Sequence, residues 1–95
     1  ESCEFVHDDC LSTMSSNSAD VVLCNPPFHQ QNTITEHIAK QMFNDAHRVL
    51  KVGGELYVVA NRHLPYQGQL KKYFGGFKLH AQNNKFVIYQ CIKRR

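Results

Sequence analysis

Apolar positions change their spacing several times along this chain, and each change marks an element. Cys3 to His7 alternates weakly and predicts a strand end, closed by the acidic pair Asp8-Asp9. Ser12 to Ser18 is small and polar, as expected of a surface connector or short helix. Asp20 then leads the unbroken run Val21-Val22-Leu23-Cys24, whose β-branched content predicts a strand buried on both faces. From about Thr35 the spacing turns helical, with Ile38, Met42, Phe43, Ala46, Val49 and Leu50 at three- and four-residue steps. Thr33 or Thr35 is the expected N-cap and Glu36 suits the first turn. Arg48 and Lys51 fall in the last turn, and Gly53-Gly54 is the expected stop.

Leu56-Tyr57-Val58-Val59-Ala60 predicts a second buried strand, followed by a loop from Asn61 to Pro65. Gln67 to Phe74 reads as a second helix carrying Lys71 and Lys72 outward. Phe77 to Ala81 and Lys85 to Ile92 read as the two strands of a β-hairpin that turns at Gln82-Asn83-Asn84. Strand and helix patterns in this order predict an α/β fold: parallel strands with crossover helices, then an antiparallel pair. No repeat, low-complexity segment or linker divides the chain.

Composition narrows this picture only a little. With 95 residues and 42% hydrophobic content the chain makes one small domain, which buries about 60–65% of the surface its unfolded form exposes. No apolar run approaches the roughly 20 residues that span a bilayer. Cys3, Cys10, Cys24 and Cys91 show neither C-x-x-C nor zinc-like spacing. Structural free thiols in a reducing cytoplasm are the expected reading. The histidines share no metal-ligand spacing; His37 and His47 are not on one clean helix face, so no metal is expected. The net charge of +3 does not by itself indicate nucleic acid. Lys93-Arg94-Arg95 is expected to be a solvated basic end, and with Lys71, Lys72 and Lys78 it can add a salt-sensitive phosphate contribution.

The chemistry concentrates behind the first buried strand, in Asn25-Pro26-Pro27-Phe28. Two consecutive prolines remove two backbone donors and fix φ, so neither strand nor helix continues through them. The result is a stiff loop at the carboxyl end of a buried strand, where open α/β sheets bind ligands. Such a loop presents the Asn25 amide, free carbonyls and the Phe28 ring to one small planar group bearing an NH2. Asn25 Oδ1 and the Pro26 carbonyl can each accept one N–H of that amine and aim its lone pair. Phe28 can stack on the ring, a contact worth about 1–3 kcal/mol.

These residues are similar to the N-P-P-F/Y signature of S-adenosylmethionine-dependent methyltransferases acting on amino or amide nitrogens. Extended through His29 and Gln30, the motif resembles more narrowly the ribosomal RNA guanine-N2 methyltransferases, their large-subunit members before their small-subunit ones. The likeness continues through Val58-Val59-Ala60-Asn61-Arg62-His63-Leu64 and Asn83-Asn84-Lys85-Phe86-Val87. It implies a Rossmann-like class I methyltransferase sheet of which residues 1–95 form the carboxyl-terminal half, from about the third strand. The five glycines make no G-x-G motif behind an apolar strand, so the glycine-rich cofactor loop and an amino-terminal recruiting domain are expected elsewhere. With the first two strands elsewhere too, an unpaired edge is expected beside the strand ending at Cys24, inviting self-association.

The resemblance also assigns roles. S-adenosyl-L-methionine is the implied cofactor, with Asp9 accepting from the adenine amino group, the Cys10 N–H meeting the ring, Leu11 against its face and Asn25 at the edge. The tandem Asp8-Asp9 leaves that register open by one. Asn25, Pro26, Pro27 and Phe28 form the implied catalytic loop. Phe28, His29, Asn61, Arg62, Asn84 and Phe86 line the implied target pocket, with Arg62 able to meet phosphate. Ribosomal RNA is then the partner, in the cytoplasm, with no membrane. DNA adenine or cytosine and protein-glutamine methyltransferases share N-P-P-F/Y, but His29-Gln30 and the Ala60 to His63 segment argue against them. A non-catalytic RNA-binding fragment is the alternative of a different class.

Overall fold

The computed structural model describes residues 3–6, 16–26, 33–62 and 66–94, with residues 3–6 and 33–36 described by their backbone. Its elements are β1 (Cys3–Val6), β2 (Ala19–Cys24), α1 (Thr33–Val49), β3 (Leu50–Asn61), α2 (Gln67–Phe74), β4 (Lys78–Gln82) and β5 (Phe86–Ile92). They build one five-stranded sheet in the order β1-β2-β3-β5-β4. β1, β2 and β3 run parallel, while β5 is antiparallel to both β3 and β4. The expected α/β fold is therefore present, with parallel strands first and an antiparallel pair after them.

The two strands expected to be buried on both faces are buried on one. Val22 and Cys24 in β2, and Leu56, Val58 and Ala60 in β3, are completely buried, whereas Val21, Leu23, Tyr57 and Val59 between them are half-buried. The reason is that α1 and α2 share one core with the first set, through Met42, Phe43, Ala46, Leu70 and Phe74. Phe43 meets Tyr66 edge to face at 5.5 Å, and His47 meets Phe74 likewise at 5.1 Å, which locks the two helices together.

Helix α1 spans Thr33–Val49, so both threonines expected as its N-cap lie inside it, and it stops before Lys51 and Gly53-Gly54. Its last carbonyls are taken by distant donors. The Asn17 and Ser18 N–H groups donate to Arg48 and Val49 at 3.0 and 2.7 Å, with Asn17 at φ 53, a conformation asparagine tolerates. Lys93 Nζ donates to the Leu50 carbonyl at 2.8 Å and to Asn17 Oδ1 at 3.1 Å. Lys93, expected to be a solvated tail residue, is thus 7% exposed and closes the helix–strand junction.

The glycine pair lies inside β3 instead. Gly53 has φ 91, and a Cβ on Gly54 would sit 2.8 Å from the Lys51 carbonyl and 3.0 Å from that of Asp20. Both exchange backbone hydrogen bonds with Lys93. The register slips between Ala19 and Val21 at this point, so the glycines form an irregularity in the strand, not a helix stop. β1 corrects a further expectation. It pairs with β2 from Cys3↔Val21 to Val6↔Cys24, so the edge expected to be open beside Cys24 is occupied.

Candidate functional site

The polypeptide leaves β2 at Cys24, and Asn25-Pro26 follow at the carboxyl end of the strand, as the proline pair predicts. Cys24 is level with Val58 of β3, and Val58 with Tyr89 of β5. Beyond that level, β3 continues to Asn61, which pairs with Phe86 at the start of β5. One end of the sheet therefore collects Asn25, Asn61, Arg62 and the β4–β5 turn. Pairing puts Asn61 and Phe86 on a shared face, and both are half-buried.

Asn25 carries the sharpest signal of this end. The residue is half-buried and its Oδ1 is fully shielded without a hydrogen-bond partner among the described residues. An orphaned buried carbonyl costs about 1–3 kcal/mol, and such groups persist where a ligand supplies the donor. Pro26 beside it is fully buried, which fixes the loop's departure angle.

The β4–β5 turn is built by Asn83, which lies in the expected turn Gln82-Asn83-Asn84. Its Oδ1 accepts from the Lys85 and Phe86 N–H groups, both at 2.8 Å. Arg62 joins the same turn: its N–H donates to the Lys85 carbonyl at 2.9 Å and its guanidinium to the Asn83 carbonyl at 3.3 Å. Arg62 is exposed, so its remaining donors face water. Asn84 is exposed at the tip. A hollow of about 230 Å³ opens between Val59, Ala81, Gln82, Asn83, Phe86 and Ile88, on the half-buried face of the sheet. Hollows of about 460 and 650 Å³ lie instead at the other end of the sheet.

Toward that other end, the same face carries a polar cluster that sequence reading did not single out. Tyr57 donates its hydroxyl to Glu55 Oε1 at 2.8 Å, and Gln90 Nε2 donates to both. The hydrogen bond to Glu55 holds the Tyr57 phenol above its ordinary pKa. Only the cross-strand pairing Tyr57↔Gln90 brings these groups together. The thiols of Cys24 and Cys91 are free and buried, and burial pushes each up to about 12. Among the described residues no three His, Cys, Asp or Glu side chains gather as a metal would require. No helix there is long and apolar enough to cross a membrane. Asp9, Cys10, Leu11, Pro27, Phe28 and His29 lie outside the described residues.

Residues 1–90 match the family model described as the methyltransferase small domain. The ribosomal RNA large subunit methyltransferase G of Shewanella amazonensis is 59% identical over 91 residues, 95% of this chain and 24% of that protein. The protein of the same name from Photobacterium profundum is 58% identical over 85 residues, 90% of this chain and 23% of its own length. The chain thus spans about a quarter of the length of the curated relatives it matches. A solved structure of the Thermus thermophilus 16S rRNA N2 G1207 methyltransferase, in complex with AdoMet and guanosine, superposes with a TM-score of 0.71 at 15% identity. The match covers 90% of this chain and 23% of that one.

Proposed function

The chain belongs to the methyltransferase small domain family, and on that premise we propose that it supplies the acceptor side of a ribosomal RNA guanine-N2 methyltransferase. The large-subunit RNA is the favoured substrate, because relatives more than half identical over nearly the whole chain carry that name. A neighbour of the same fold holds AdoMet and guanosine. The observation that carries the reading is the buried Oδ1 of Asn25 at the carboxyl end of β2, which has no partner among the described residues.

That oxygen and the Pro26 carbonyl each accept one N–H of the exocyclic amine. Both amine protons are then committed, and the nitrogen lone pair points in one direction. The stiff proline pair keeps the acceptors from turning away, so orientation is set before the target arrives. Phe28 stacks on the base, while Asn61 and Phe86 close the pocket from β3 and β5 and Arg62 faces the adjoining backbone. S-adenosyl-L-methionine, when bound, supplies an already activated methyl group. Asp9, Cys10 and Leu11 are the residues of this chain that hold its adenine, while the glycine-rich loop lies outside the 95 residues. The work left to this chain is positioning and electrostatic complementarity.

The test is methyl transfer by the protein carrying these residues to unmodified ribosomal RNA, with digestion and identification of the product nucleoside. N2-methylguanosine is expected. A methylated adenine, a methylated cytosine or no product would overturn the reading.

A further inference from the structure

Charge is divided along this chain far more sharply than its net value shows. None of the 8 acidic residues follows Glu55, whereas Arg62, Lys71, Lys72, Lys78, Lys85, Lys93, Arg94 and Arg95 all do. Residues 56–95 are therefore wholly basic in their fixed charges, and the earlier part is acidic. A division of this kind points to a polyanionic partner for the basic part.

The fold gathers half of these cations at one place. β5 runs antiparallel to β3, so Phe86 lies at the Asn25 end of the sheet and Ile92 at the other. The 7 residues from Phe86 to Ile92 span about 20 Å. At that far end α2 finishes in Gly75, which takes φ 81 and donates its N–H to the Lys71 carbonyl. A hollow of about 650 Å³ has Lys71, Lys72 and Arg94 in its wall, and an adjoining one of about 460 Å³ has Lys78 and Arg94, with Gly75 common to both. All four cations are exposed, and none makes an ion pair among the described residues.

Two of the lysines stand over rings: Lys71 Nζ is 5.9 Å from the Phe77 centroid and Lys72 Nζ is 5.6 Å from that of Tyr73. Both rings are half-buried. Neutralising the end of α2 takes only about half a positive charge, so four cations exceed what the helix requires. A concave, aromatic-floored surface with several unpaired cations suits a flexible chain of phosphates.

We propose that Lys71, Lys72, Lys78 and Arg94, arranged around Gly75, form a second RNA contact that holds phosphate backbone about 20 Å from the target base. The inference rests on the reading that the substrate is RNA. It adds a surface at the opposite end of the sheet from the base pocket.

The experiment measures binding of the protein to a fluorescein-labelled unmodified ribosomal RNA transcript, and to an unrelated transcript of equal length, across a salt series. The set K71Q/K72Q/K78Q/R94Q should bind both RNAs about 10- to 100-fold more weakly near 0.1 M salt, with a salt slope shallower by up to about 3. The set K71R/K72R/K78R/R94K should keep affinity and slope, which separates charge from folding. An unchanged slope in the glutamine set overturns the proposal and leaves the surface to an acidic protein partner. Loss confined to the ribosomal transcript overturns it too, since backbone contacts carry no sequence. Failure of the catalytic reading is distinguishable, because it appears as missing N2-methylguanosine whatever the salt slope.

Discussion

At one end of the sheet lie the neutral amides of Asn25, Asn61 and Asn84, and the oxygen of Asn25 is sealed from water without a partner among the described residues. At the other, Lys71, Lys72, Lys78 and Arg94 stand in water around a bare glycine turn. The contrast fits what the proposed reading asks of each end. An exocyclic amine is told from other groups by directed acceptors, and direction requires rigidity and desolvation. A phosphate chain is held by charge at almost any angle, so long, solvated side chains suffice. In the proposed reading selectivity belongs to the amide end, where Arg62 and Lys85 are the cations, and adhesion to the end that gathers Lys71, Lys72, Lys78 and Arg94.

The largest effect that separates the two ends is expected from Asn25→Ala. Methyl transfer should fall by about 10²–10³-fold or more, as when a single oriented polar group is removed elsewhere, while RNA binding and its salt slope stay nearly unchanged. Single-turnover kinetics beside anisotropy decide it, and wild-type-like turnover would erase the distinction. Phe28→Ala comes next. It should weaken engagement of the unmodified target by roughly 1–3 kcal/mol, with Phe28→Tyr largely tolerated. Equal binding by the two variants would make Phe28 a packing residue only.

Arg62→Ala sharpens the comparison on a smaller scale, because Arg62 is a cation at the amide end and is tied to the Asn83 turn. It should shift the salt slope by no more than about 0.7, the share of one phosphate contact on a single strand. A larger shift would mean that charge matters at both ends alike.

The smallest effect concerns stability. Cys24 and Cys91 are raised from 9.0 to about 12 in the fold. The folded state thus holds protons that the unfolded chain loses above pH 9, and stability should decline as pH rises from about 9 toward 12. Below pH 9 neither thiol should contribute any pH dependence. Urea titrations of the wild type and Cys24→Ala at pH 8 and pH 10.5 test this; a loss at pH 10.5 of order 1–2 kcal/mol per thiol should be about halved in the variant.

Much of this was legible in the residues themselves. The run from Val21 to Cys24 and the double proline place a strand and its abrupt end, because both depend on local sterics alone. The period of Ile38, Met42, Phe43 and Ala46 places α1 for the same reason. The end of α1 was misjudged because it is fixed from a distance. Asn17, Ser18 and Lys93 satisfy its last carbonyls and that of Leu50, and no window around Gly53 contains them. Lys93 itself reads as one cation in a basic tail, and only the pairing of β5 shows it turned inward. The Tyr57–Glu55–Gln90 cluster was likewise hidden by a separation of over thirty residues. The split of charge after Glu55 was visible from the start, and the modest net value concealed it.

β5 has a further consequence through its place in the sheet. It is the last element in chain order, yet it lies between β3 and β4 and supplies the only sheet partner of β4 among the described residues. All of β4 is exposed, so β4 has little apolar burial to hold it in place by itself. A chain emerging from the ribosome must therefore wait, with the edge of β3 unprotected, until residues 86–92 arrive and close a loop of more than twenty residues. During that interval β3 offers its unpaired backbone to any passing strand. Truncation before Phe86 would make the interval permanent, and the shortened chain should need chaperone binding to stay out of aggregates.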